Sequence, residues 1–223
     1  MPAATLYYFP LSPPCRSVLL LVKELGLTVN LKEVNSLTGE TRTEEFMRMN
    51  PEHCVPTLDD NGFHLWESRA ILSYLVDAYR PGHDLYPNIP REKAQINRVL
   101  YHDLGAFFPK FFGTIGKLFT GAATELSEEM ITSARNALTD LENYLIRNDF
   151  FAGEKITIAD LTLLPTVCSA VHCGLDLTKY QRLHGWYETC RKEVKGFPED
   201  EALAIQLGEL FRSKVPAGLA ALN

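Results

Sequence analysis

Two dissimilar halves are predicted for this chain: an α/β domain built on a four-stranded mixed sheet, followed by an all-α helical bundle. Three observations carry the prediction. Short strand and helix signals alternate as far as Tyr79, the pair Asn61-Gly62 marks a hairpin, and beyond Arg91 the strand signals give way to long stripes of helical period. With 223 residues and 46% hydrophobic content, the chain has enough apolar material for two modest cores.

Thr5 to Phe9 reads as a strand. Pro13 to Leu25 carries Val18, Leu19, Val22 and Leu25 at helical spacing, with Gly26 as its stop. Val29 to Val34 is a β-branched run that reads as a second strand, Thr43 to Met49 a short helix, and Asn50-Pro51 ends it. Thr57-Leu58 and Phe63 to Trp66 flank Asp60-Asn61-Gly62, where Asn and Gly tolerate the positive φ of a tight hairpin turn. Ser68 to Tyr79 closes the half as a helix with Ile71, Leu72, Leu75 and Tyr79 on one face. The order is βαβ, then a helix, then ββα. Parallel pairing comes first and a hairpin second.

In the second half, Ile131, Ala134, Leu138, Leu141 and Leu145 step by three and four along one helix face. Thr157-Ile158-Ala159-Asp160 fits a capping box, with Ile156 and Leu161 as a hydrophobic staple. Later helices are expected over Tyr180 to Val194, with Trp186, Tyr187 and Cys190 inward, and over Glu199 to Lys214, with Leu203, Leu207, Leu210 and Phe211 inward. Pro109 would remove the helix bond to the Gly105 carbonyl and kink the first long helix. The expected division is 1–81, a linker over 82–90 with flanking prolines, and 91–223.

The net charge of −6 and the lack of a Lys/Arg run argue against nucleic acid as a partner. No apolar run approaches bilayer length and no basic-then-apolar leader opens the chain, so no membrane association and a cytoplasmic location are expected. Five scattered cysteines suit a reducing compartment better than a disulfide framework. Cys168 and His172 stand four apart, but no second pair has ligand spacing, so no metal is expected.

The chemistry-bearing segment is Ser12-Pro13-Pro14-Cys15-Arg16-Ser17, where the first strand turns into the first helix. A redox motif would hold a cysteine at each end of this turn, and only Cys15 is present. Ser12 can cap the helix, or it can donate a hydrogen bond to a thiolate brought in by another molecule.

Four motifs in order, Ser12 to Ser17, Asn50-Pro51-Glu52-His53-Cys54-Val55-Pro56-Thr57-Leu58, Glu67-Ser68-Arg69-Ala70-Ile71 and Ile158-Ala159-Asp160, resemble a cytosolic glutathione transferase. The likeness is to the insect delta and epsilon classes and spans nearly the whole chain. It implies a thioredoxin-like N-terminal domain that holds glutathione as co-substrate, a helical domain that forms the acceptor pocket, a homodimer, and a role in detoxifying hydrophobic electrophiles. It also implies that Ser12 is catalytic, that the Val55-Pro56 bond is cis, and that Val55 pairs with the cysteinyl unit like an added strand. Glu67 and Ser68, with Arg69 nearby, would hold the γ-glutamyl end at a helix N-terminus. His53 would face the glycyl carboxylate. Where the family often has a second histidine, this chain has Thr41, then Arg42, which predicts a rearranged grip.

Leu104, Phe107, Phe108, Phe111 and Phe112, with Phe119, Leu207 and Phe211, are candidates for the acceptor pocket, and a bundle core would use the same residue types. Two other activities stay open: a carrier of hydrophobic ligands with little turnover, and a redox enzyme using Cys15. Peroxidase, isomerase and dehydrochlorinase reactions begin from the same thiolate as conjugation, so sequence does not separate them.

Overall fold

The chain is described by a computed structural model over residues 4–223. Strand β1 (Thr5–Tyr8), helix α1 (Pro13–Glu24) and strand β2 (Asn30–Glu33) form the βαβ unit, with Thr5 opposite Asn30 in a parallel pair. After a 3-10 turn (Glu40–Arg42) and helix α2 (Glu44–Met49), strands β3 (Thr57–Asp60) and β4 (Phe63–Trp66) make the hairpin, and helix α3 (Ser68–Tyr79) closes the unit. The sheet order is β2-β1-β3-β4, and β3 is antiparallel to both neighbours. The hairpin turn uses Asn61 at φ 55° and Gly62 at φ 90°, the two positive values a two-residue turn of this hand requires.

The remainder is helical: α4 (Pro90–His102), a π-helical turn (Asp103–Phe107), α5 (Phe108–Thr120), α6 (Glu128–Tyr144), α7 (Ile158–His172), α8 (Gln181–Glu193) and α9 (Phe197–Lys214). The stretch from residue 90 to 120 is helical without a break, and Pro109 lies just past a π-helical turn in it. Pro109 cannot donate to the Gly105 carbonyl, and the π-helical turn Asp103–Phe107 is the irregularity found where that bond is missing. In α9, Leu207 and Phe211 are buried as expected, but Leu203 and Leu210 are only half-buried, and Ala204 and Gly208 take the inner positions.

Helix α7 is buried on nearly every face, which is why its sequence lacks a polar side. Its N-terminus carries the expected capping box. Thr157 Oγ1 accepts from the Ala159 N–H at 3.3 Å, and Asp160 accepts from the Thr157 N–H at 2.9 Å. Asp160 also accepts from Trp186 Nε1 at 3.0 Å and from the Phe151 N–H at 3.1 Å, so one carboxylate ties the α7 start to α8 and the preceding loop.

The sheet half docks on α7 through α1. Arg16, only 1% exposed, donates to the carbonyls of Pro165 and Asp200, both at 2.8 Å, and to the Ser169 hydroxyl. Ser17 donates to the Thr162 carbonyl at 3.2 Å. Docking therefore fixes the start of α1, the segment behind Ser12, against the helical half.

Candidate active site

Three loops meet at one end of the sheet. The β1 to α1 turn leaves the C-terminal end of β1, residues 53–56 lead into β3, and Glu67 follows β4. Because Tyr7 pairs with Thr57 and Thr57 with Trp66, these are adjacent positions across the strands. Continuing the register sets Val55 beside Phe9 and Pro56 beside Glu67. Topology alone collects Ser12, Val55 and Glu67 in one place.

Ser12 occupies the N-cap position of α1 in an extended conformation, yet its hydroxyl makes no capping bond. The reason lies in the next two residues. A cap serves the second or third helical N–H, and Pro14 at the second position has none, which leaves only the Cys15 N–H for it to serve. The half-buried hydroxyl lies instead within hydrogen-bond reach of the Cys15 thiol, and Ser12 lines a cavity. Cys15 itself is fully buried, accepts from the Phe9 N–H at 3.4 Å, and has its thiol pushed up to about 12 by burial. It is a protonated core residue, not an exposed nucleophile.

The Val55-Pro56 bond is cis. Neither backbone group of Val55 bonds to protein among the described residues, so both are open to an extended ligand. The preceding loop is held by a residue that sequence reading took only for a helix end. Asn50, fully buried, donates to the Cys54 carbonyl at 3.1 Å and to Thr57 Oγ1 at 2.9 Å. Among the described residues, three other than glycine have positive φ. One is Asn61 in the hairpin, and the others are His53 at 46° and Glu67 at 68°. Such backbone costs about 1–3 kcal/mol per residue and collects at functional sites.

Arg42 reaches the His53 ring, with its guanidinium nitrogen 3.4 Å from Nε2. Thr41, expected to share this duty, has its side chain buried at 3% exposure, so Arg42 is the exposed donor beside His53. Glu67 is exposed at the start of α3, and Ser68 is the first helical residue rather than the cap. Arg69 departs further from expectation. It is buried, with Nε 2.8 Å from Asp103 Oδ2 and a second nitrogen on the same carboxylate oxygen, and it donates to Ser68 Oγ at 3.0 Å. Its charge is spent on Asp103, so it orients Ser68 rather than meeting a ligand. Burial raises the Asp103 carboxyl and the Arg69 charge opposes that rise.

The cavity beside Ser12 has a volume of about 360 Å³. Five of the eight expected pocket residues line it: Phe108, Phe112, Phe119, Leu207 and Phe211. The other three do not. Phe107 and Phe111 are fully buried and stack on each other at 5.4 Å in the core, while Leu104 faces outward at 42% exposure. Phe108 and Phe112 form a parallel stack at 5.0 Å on the cavity side. One face of the helix serves the core and the next serves the cavity.

Sequence reading missed the walls supplied by Phe9, Leu11 and Leu37, by Ile115 and Gly116 of α5, and by Ser169, Ala170 and Cys173 of α7. Leu37 carried a signal in being an apolar residue in a polar loop. The α7 residues carried none, since a uniformly apolar helix does not reveal which face meets a void. Among the described residues no group of three or more potential metal ligands stands together, and no helix is long and apolar enough to cross a membrane.

Comparison with known proteins gives a consistent result. Residues 2–77 match the family model for the glutathione S-transferase N-terminal domain, and residues 124–189 match that for the C-terminal domain. Glutathione S-transferase D7 of Anopheles gambiae is 40% identical over 94% of this chain and 97% of its own. The solved delta-class glutathione transferase of Nilaparvata lugens superposes with a TM-score of 0.90 at 38% identity, covering 95% of this chain and 99% of that one. An epsilon-class enzyme from the housefly Musca domestica does so at 0.88 and 33%, covering 95% and 98%.

Proposed function

We propose, because the chain belongs to the glutathione S-transferase family, that Ser12 stabilises the thiolate of bound glutathione as this enzyme transfers it to hydrophobic electrophiles. The observation that carries the assignment is the Ser12 hydroxyl, which makes no helix cap and stands at the wall of an aromatic cavity. A donor that makes no cap is free to serve an anion, and a hydrogen bond to a charged acceptor is about twice as strong as a neutral one.

The rest of glutathione follows from local chemistry. The open N–H and C=O of Val55 take the cysteinyl unit as an added strand, adjoining Pro56. The N-terminus of α3 takes the γ-glutamyl carboxylate with the Ser68 hydroxyl, and Glu67 accepts from the ammonium. His53 and Arg42 receive the glycyl carboxylate, with Thr41 supporting the turn beneath. The thiol proton leaves to solvent, the sulfur pair forms the bond to the electrophilic carbon, and the leaving group departs with its bonding pair. Most of the acceleration comes from holding sulfur and acceptor in contact. The redox alternative is disfavoured by the buried, protonated Cys15.

The reading extends to a division into domains at 1–81 and 91–223 around the 82–90 linker, to a cytoplasmic location, and to a homodimer. Exposed Tyr101 and Leu104, at 71% and 42%, supply apolar surface for a second copy. Conjugation of glutathione to a chlorodinitrobenzene, with retention on immobilised glutathione, tests the assignment. Wild type should turn over, Glu67→Gln should raise the glutathione KM, and Cys15→Ala should leave turnover intact. Acceptor binding without turnover would favour the carrier reading.

A further inference from the structure

Helix α5 has a glycine where a helix interior gains nothing from one. Gly113 and Gly116 each forfeit helix stability that alanine would supply, yet their surroundings differ. A Cβ built on either would meet no atom within 4 Å. For Gly113 that open space is solvent, since the residue is exposed. Gly116 is half-buried and lines the cavity between Phe112 and Phe119, so its open space is the cavity itself.

We infer that Gly116 is a specificity-determining position: its missing side chain sets the width of the acceptor cavity and admits flat, fused-ring electrophiles between the α5 phenylalanines and the α7 wall. Three features support this class of acceptor. The bounding rings of Phe108 and Phe112 are stacked nearly parallel, at 17°, which suits a planar guest. Two of the α7 residues that line the cavity, Ala170 and Cys173, have small side chains. Lys214 donates to the Phe119 carbonyl at 3.2 Å and lies 4.4 Å over its ring, which pins Phe119 so that it does not swing into the gap. A cavity whose walls are held in place discriminates by the size of its guest. One added methylene in such a pocket changes selectivity by about 10–200-fold.

The inference rests on the acceptor reading of this cavity, and its test separates the two. Gly116→Val and the milder Gly116→Ala are compared with Gly113→Val and Gly113→Ala, using a chloronitronaphthalene and an unbranched α,β-unsaturated aldehyde as acceptors. Binding of an anilinonaphthalene sulfonate dye is followed by fluorescence, independently of turnover. Gly116→Val should lower kcat/KM for the naphthalene at least tenfold, and Gly116→Ala should lower it in the same direction. Turnover of the aldehyde and the glutathione KM should stay within twofold, dye binding should weaken in parallel, and both Gly113 variants should match wild type. Equal loss on both acceptors, loss in the Gly113 variants, or unchanged selectivity in Gly116→Ala and Gly116→Val overturns the inference. Inactive wild type that still binds dye, with binding weakened by Gly116→Val, would remove the conjugation reading and leave the width assignment standing.

Discussion

Replacing Ser12 by alanine removes one oxygen that makes no capping bond and reaches only the buried Cys15 thiol. Because the hydroxyl makes no cap, the usual penalty of about 0.5–2 kcal/mol for deleting a capping side chain should be absent, and the unfolding midpoint should barely move. On the proposed mechanism the thiolate of bound glutathione, in contrast, loses a charged hydrogen bond worth about 2 kcal/mol. That raises the bound thiol's pKa by about 1.5. Below both pKa values the anion becomes about 30-fold scarcer, but a more basic sulfur is more nucleophilic; with a Brønsted slope of about 0.45 the net loss is about sevenfold. Above both values all the thiol is ionised, and the variant should be about fivefold faster per bound complex. The two pH–rate profiles must therefore cross. The assay is kcat against pH at saturating glutathione with an acceptor whose chemistry limits the rate, beside a direct titration of the bound thiolate by its ultraviolet absorbance. A deficit of equal size at every pH would mean that Ser12 positions the sulfur without ionising it, and unchanged profiles would mean that the hydroxyl is idle.

Three further outcomes are expected. Asp103→Ala leaves the Arg69 guanidinium buried without its carboxylate and should cost about 3–5 kcal/mol in urea unfolding, while the double replacement Arg69→Met with Asp103→Leu should cost less. Thr157→Ala should cost about 1 kcal/mol through its cap, whereas Asp160→Ala strands buried donors on Trp186, Phe151 and Thr157 and should cost about 3 kcal/mol or more, both read by thermal unfolding. His102 has its pKa lowered below 6.5 by burial, with Asp140 opposing and Lys110 and Arg98 adding to the effect. Folding favours its neutral form, so its contribution is whole above pH 6.5 and is lost as pH falls through the folded value. Stability of His102→Gln relative to wild type should therefore rise as the solution is acidified below pH 6.5, and a constant difference across that range would contradict this.

Element order, the hairpin, the capping box and the family motifs were legible in sequence because each depends on neighbours a few residues away. Helical period, the φ tolerance of Asn61-Gly62 and the reach of Asp160 to Thr157 are local physics, and the four motifs pointed to glutathione before any packing was known. The aromatic stretch from Phe107 to Phe112 was not legible in the same way. All four phenylalanines have the same chemistry, and only the packing around the helix decides that Phe107 and Phe111 meet the core while Phe108 and Phe112 meet the cavity. Arg69 looked like a ligand-binding charge until Asp103, 34 residues away, was seen to claim it. Ser12 taken alone read first as a cap, and only the family motifs turned it into a catalytic candidate, although the missing N–H of Pro14 already weighed against the cap. Which partner a polar group or ring meets across the chain is set when two halves dock. That choice depends on distances no linear pattern contains, and here it gave the cavity its walls.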